Sequence, residues 1–138
     1  MLRLIVDENI AFADKAFAQF GKVKLMPGRE INNSALKDTD VLIVRSITNV
    51  DEDLLKNTPV KFVGTATIGT DHIDLDYLKC KNIFFADAKG CNAFSVAEYI
   101  VASILNLAVK FDFSLKDKSI GIVGVGNVGS KVAAFAEA

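Results

Sequence analysis

Ser119-Ile120-Gly121-Ile122-Val123-Gly124-Val125-Gly126-Asn127-Val128-Gly129 is the stretch whose reading decides the fold. An apolar run enters a turn with glycine at 124, 126 and 129, and Val128, Val132 and Phe135 then recur at helical spacing. The order is a buried parallel strand over Ile120, Ile122 and Val123, a tight turn, then a helix. Each glycine suits its place for a separate reason. Gly124 permits the turn, Gly126 lets the backbone approach a pyrophosphate, and Gly129 lets the helix pack closely on the strand. The free amides and positive dipole end of that helix would face a dinucleotide phosphate.

Upstream, short β-branched or aromatic runs fall at Leu2 to Val6, Val23 to Met26, Val41 to Val44, Lys61 to Thr65 and Ile83 to Ala86. Candidate helices lie between them. Ile10 to Phe20 places Ala13, Ala16, Phe17 and Phe20 on one face, Asp51 to Lys56 and Asp74 to Lys79 are shorter, and Ser34 to Lys37 carries a weaker signal. Strands alternating with helices at this spacing predict right-handed βαβ units and a flavodoxin-like parallel sheet covered on both faces. The pattern changes at Val96 to Phe111, a longer helix with Val96, Ile100, Ser103, Ile104, Leu107 and Phe111 as one stripe, broadened by Ala97, Val101 and Ala108. A substrate-binding domain over 1–93 is therefore expected, followed over 94–138 by the first part of a Rossmann dinucleotide-binding domain. A Rossmann half needs βαβαβ, so that second domain is read as truncated and the chain as part of a longer enzyme. The acidic residue that binds the ribose hydroxyls is expected about 20 positions beyond the glycines.

The composition restricts the partners. A chain of 138 residues, 51% hydrophobic, can bury a real core. Its 16 basic and 17 acidic residues nearly cancel and form no basic stripe, which argues against nucleic acid. Leu4-Ile5-Val6 is too short for a signal-peptide core, and Val96 to Val109 is interrupted by Glu98, so no membrane span and a cytoplasmic location are expected. Cys80 and Cys91 lack metal-ligand spacing and read as reduced, partly buried thiols.

Loops at the carboxyl ends of parallel strands form the ligand crevice. Arg45-Ser46-Ile47-Thr48-Asn49 follows one strand: Arg45 offers a fork of donors to a carboxylate or phosphate, and Ser46 adds a hydroxyl or amide. An ordinary solvated loop remains the alternative. Thr65-Ala66-Thr67-Ile68-Gly69-Thr70-Asp71-His72-Ile73-Asp74 follows the next; Gly69 would let amides converge on an anion, and Asp71 or Asp74 can cap the following helix. His72, the only histidine, sits at a helix entry with no glutamate placed to orient it, and is read as structural.

Together, Val6-Asp7-Glu8-Asn9, Val44-Arg45-Ser46, Lys61 to Thr67 with Gly69 to His72, Gly90-Cys91-Asn92-Ala93 with Val96 to Tyr99, and Gly121 to Gly129 resemble the D-isomer-specific 2-hydroxyacid dehydrogenases along essentially the whole chain. The resemblance implies oxidation of a 2-hydroxyl to a 2-oxo acid with hydride passing to NAD, and a small phosphorylated hydroxy acid as substrate. It implies Ser46 and Thr67 as substrate-binding positions, with Arg45 and the Gly69 loop near the acid group. The amides at Gly126, Asn127 and Val128 would hold the pyrophosphate within the turn that Gly124 and Gly129 shape. A histidine, a supporting glutamate and an arginine carry the proton chemistry downstream of the glycine motif in that family, so no catalytic residue is assigned here and the segment alone is expected to be inactive. His72 does not match that histidine, and Lys89 stands where relatives commonly have proline. A homodimer is implied for the complete protein. A free-standing nucleotide- or metabolite-binding module is the alternative from another class.

Overall fold

The computed structural model describes residues 1–137, which form two compact units, one over Met1–Lys89 and a second opening at Gly90. In the first, strands β1 (Leu2–Asp7), β2 (Gly21–Met26), β3 (Val41–Val44), β4 (Phe62–Thr65) and β5 (Phe84–Ala86) pair in parallel in the order β2-β1-β3-β4-β5. This is the flavodoxin-like order, in which the winding reverses between β1 and β3. Helices α1 (Ala13–Ala18), α2 (Glu52–Leu55) and α3 (Leu75–Cys80) and two 3₁₀ turns, Gly28–Glu30 and Ala35–Asp38, supply the crossovers.

Alternation along the strands sorts the core into two layers. Ile5, Leu42, Val44 and Val63 pack with Leu36, Val50, Leu54, Leu55, Ile73 and Leu78 on one face. Leu4, Val6 and Ile43 pack with Ala13 on the other, with Phe17, Val23 and Phe62 around them. Asp51 caps α2 by accepting from the Leu54 amide at 2.9 Å, and Asp74 caps α3 by accepting from the Tyr77 amide at 2.8 Å. Of the two aspartates expected as caps for that helix, Asp74 does the work and Asp71 remains exposed.

Three expectations are corrected in this unit. The helix expected from Ile10 to Phe20 is only Ala13–Ala18, because Phe12 adopts a left-handed conformation (φ 58°) and the chain from Asp7 to Ala13 turns through local hydrogen bonds. Ala16 and Phe20 consequently lie outside the core, and Phe20 is exposed. Cys80, at the end of α3, is exposed where partial burial is expected, and Cys91 in the second unit is exposed as well.

The second unit pairs α4 (Ala93–Lys110) with α5 (Asn127–Glu137). Ala93, Ala97 and Ala108 are the buried residues of α4; Ala97 and Ala108 come from the broadened edge of the stripe read from the sequence, whereas its centre at Val96, Ile100 and Ile104 is half-buried. The buried residues of this helix are small, while Leu107 and Phe111 stay exposed. By length and composition α4 meets the lower limit for a membrane-crossing helix, although Glu98 lies within it. Ile120 to Val123 is not a strand: a ladder requires a neighbour, and among the described residues none pairs with this segment, so Ile120 and Val123 are exposed.

Candidate functional site

The carboxyl edge of the first unit's sheet gathers the polar loops. Val44 pairs in register with Thr65, and Val6 with Ile43, so Asp7, Val44 and Thr65 end their strands at one level. The loops after β3 and β4 start side by side, with the Ala66 amide donating to the Val44 carbonyl at 2.9 Å. They are joined again further out, where the Val50 amide donates to the His72 carbonyl and the Asp74 amide to the Val50 carbonyl, both at 2.8 Å. Arg45 and Ser46 are thus brought to the same edge as Thr67 and Gly69.

Arg45 leaves β3 beside the winding reversal, and its Nε stands 3.2 Å from Oδ2 of Asp7. Asp7 is wholly buried, whereas the Arg45 side chain keeps about a third of its surface (32%). Asp7 Oδ1 accepts from the Asn9 amide at 2.9 Å. The contact to Arg45 is one of charge: neither Oδ2 nor Nε is aligned for a hydrogen bond, and neither has another partner among the described residues. The floor beneath them is close. A Cβ on Gly28 would lie 2.5 Å from Asp7 Oδ2, and the Thr48 hydroxyl donates to the Gly28 carbonyl at 2.9 Å. Arg45 meets Asp7 through Nε and keeps about a third of its side chain exposed, beside the exposed Ser46. Sequence reasoning selected Arg45 and Ser46 but missed Asp7, since an aspartate at a strand end reads as a surface turn residue.

The second group is a chain of hydroxyls. Thr65 Oγ1 lies 2.7 Å from Thr67 Oγ1 and 3.0 Å from His72 Nε2, and Thr67 Oγ1 reaches the Gly69 carbonyl at 3.4 Å. Burial holds the His72 imidazole below its ordinary pKa, with Asp71 partly opposing the shift. Thr65 is buried and Thr67 half-buried, while Gly69 is exposed. His72 is thereby engaged in holding its loop.

In the second unit, Gly124 has φ +93°, a conformation that favours glycine. A Cβ on Gly129 would run into the Gly124 carbonyl oxygen and come within 3.3 Å of the Ile122 side chain. A Cβ on Gly126 would meet nothing within 4 Å, so the backbone there is open to a ligand. Asn127, Val128 and Gly129 form the first turn of α5, whose amides have no intrahelical acceptor. An open glycine beside a helix amino terminus is what a pyrophosphate requires, and in this respect the residues fit a dinucleotide.

Residues 4–135 match the family model described as D-isomer specific 2-hydroxyacid dehydrogenase, catalytic domain. An erythronate-4-phosphate dehydrogenase of Chromohalobacter salexigens is 54% identical over 132 residues, which is 96% of this chain and 34% of that protein. Another, from Salmonella arizonae, is 50% identical over 137 residues, covering 99% of this chain and 36% of that one. The chain thus spans about a third of the length of the curated relatives it matches. Among solved structures, the NAD+-bound 3-phosphoglycerate dehydrogenase of Entamoeba histolytica superimposes with a TM-score of 0.73 at 28% identity, over 99% of this chain and 50% of that one. With the flavodoxin-like sheet and the glycine turn present in the same order, the chain belongs to the D-isomer specific 2-hydroxyacid dehydrogenase family.

Proposed function

We propose that these residues are the amino-terminal part of an NAD-dependent erythronate-4-phosphate dehydrogenase, which oxidises the 2-hydroxyl of 4-phosphoerythronate to a 2-oxo acid on the route to pyridoxal phosphate. The observation that carries this reading is identity of about one half, along nearly the whole chain, to proteins of that name. The first unit is the substrate domain, and the second opens the nucleotide domain.

Arg45 supplies charge and paired donors to an acid group of the substrate, while Ser46 and Thr67 hold its oxygens with their hydroxyls. Gly69 keeps the neighbouring loop backbone clear for the same group. Gly124 and Gly129 shape the turn, and the amides at Gly126, Asn127 and Val128 receive the pyrophosphate. Bound NAD supplies the hydride acceptor for the C2 hydrogen. The hydroxyl proton needs a base, and none of the described residues is assigned to it; the His72 ring is engaged by Thr65. The complete protein acts in the cytoplasm as a homodimer, which sedimentation of the purified enzyme checks.

The complete protein encoded by this gene is expected to reduce NAD with 4-phosphoerythronate, and to lose most of that activity on Arg45→Ala or Ser46→Ala. Equal rates in the variants would remove the site assignment. Faster turnover of 3-phosphoglycerate in a side-by-side panel would replace the substrate.

A further inference from the structure

We infer that Asp7 is a positioning residue for Arg45, fixing the buried edge of its guanidinium so that the outer nitrogens face an anion at the winding reversal of the sheet; this rests on the proposed reading of Arg45 as an anion-binding residue. Asp7 is wholly buried, yet its Oδ2 has no hydrogen-bond partner among the described residues. Among the described residues, the charge that stands against it is Arg45 Nε at 3.2 Å. A buried carboxylate left in that condition is costly unless a cation is held beside it. The surroundings fix its place: the Asn9 amide holds the other oxygen, and Gly28 leaves no room for a side chain beneath Oδ2. Residues from the ends of β1, β2 and β3 therefore converge on one carboxylate: Asn9 and Gly28 fix where it stands, and Arg45 meets it.

The charge of Asp7 gives the inference a decisive sign. By Coulomb's law alone, removing a negative charge beside Arg45 should tighten anion binding. Positioning requires the reverse. The chain is titrated with inorganic phosphate, followed by proton–nitrogen correlation spectra that report the Ser46 amide and the Arg45 Nε–H. In Asp7→Asn, phosphate is expected to bind about tenfold more weakly, and the Nε–H to exchange faster with solvent. Gly28→Ala keeps the charge but displaces the carboxylate, and is expected to weaken phosphate binding in the same direction. Equal or tighter binding in a folded Asp7→Asn overturns the inference. Where that variant fails to fold, unchanged binding in Gly28→Ala overturns it instead. Phosphate binding lost in Arg45→Ala but kept in both other variants removes the role of Asp7 alone. Binding that Arg45→Ala leaves intact removes the reading of Arg45, and the inference with it.

Discussion

Two glycines of the same turn should answer the same substitution with costs of different size and origin. At 129, alanine gains helix propensity worth about 1 kcal/mol relative to glycine. The added methyl, however, meets the Gly124 carbonyl oxygen, and that carbonyl belongs to a turn held at φ +93°. A backbone atom in a turn cannot swing aside as a side-chain end can, so the overlap costs about 2 kcal/mol, within the range for overpacking. The net is about 1 kcal/mol of destabilisation, or about a fivefold rise in local opening of α5. Propensity alone predicts the opposite, a fall of about fivefold. At 126, alanine meets nothing within 4 Å, and its carbonyl already accepts from the Ser130 amide at 3.0 Å as a helix cap does. Its cost is the lesser one of alanine at an N-cap, about 0.5 kcal/mol. Amide hydrogen exchange of α5 in the two variants reads both numbers. Exchange slower in Gly129→Ala than in the parent chain would refute the packing argument, because it would mean that the helix and turn do not touch where the geometry says they do.

Further outcomes follow from the burial of single groups. His72, the only histidine, has a folded pKa below its unfolded value of 6.5, so its contribution to stability is complete above that value and is lost as pH falls through the folded pKa. A ring-proton titration should give a midpoint below 6.5, and His72→Asn should flatten the stability profile in that window; a midpoint at or above 6.5 contradicts the assignment. Leu42→Ala, at a wholly buried position of β3, should cost about 2–5 kcal/mol in denaturant unfolding of the first unit. A cost under 1 kcal/mol would mean that the sheet's inner face is looser than its packing indicates.

The strands were legible because four of the five are short apolar runs, and a strand covered on both faces needs little more than that. Parallel pairing and the loops at one edge then followed from the βαβ rhythm. What stayed hidden depended on distant partners. Asp7 is a buried charge only because Arg45 meets it, and nothing near Asp7 in the chain announces that meeting. The α1 start was lost to the left-handed Phe12, since an apolar residue gives no local signal for that conformation. The strand expected before the glycine turn failed for the opposite reason. Its composition is right, but a strand is a relation between segments, and the described residues contain no partner for it. The turn itself is set locally by glycine stereochemistry and packing, and it formed without the ladder.

Register ties the fold to the site. Along β1, Leu4 and Val6 enter one core layer while Ile5 enters the other, so the pleat places Asp7 on the side of Ile5. A slip of one residue against β2 and β3 would exchange those layers and carry Asp7 away from Gly28 and Arg45. The slip is opposed by both layers at once, because Leu4, Ile5 and Val6 are all buried and would each arrive opposite the wrong neighbours. Apolar residues that touch no ligand therefore determine where the carboxylate stands, and the carboxylate determines where the guanidinium stands. The same parity operates on β4, whose pairing with β3 sets Thr65 level with Val44 and so brings the Thr67 hydroxyl to the edge from which Arg45 departs. The placement of the polar groups at this edge is thus specified by the alternation of the core, and a change that preserved every polar residue but shifted one strand would separate them.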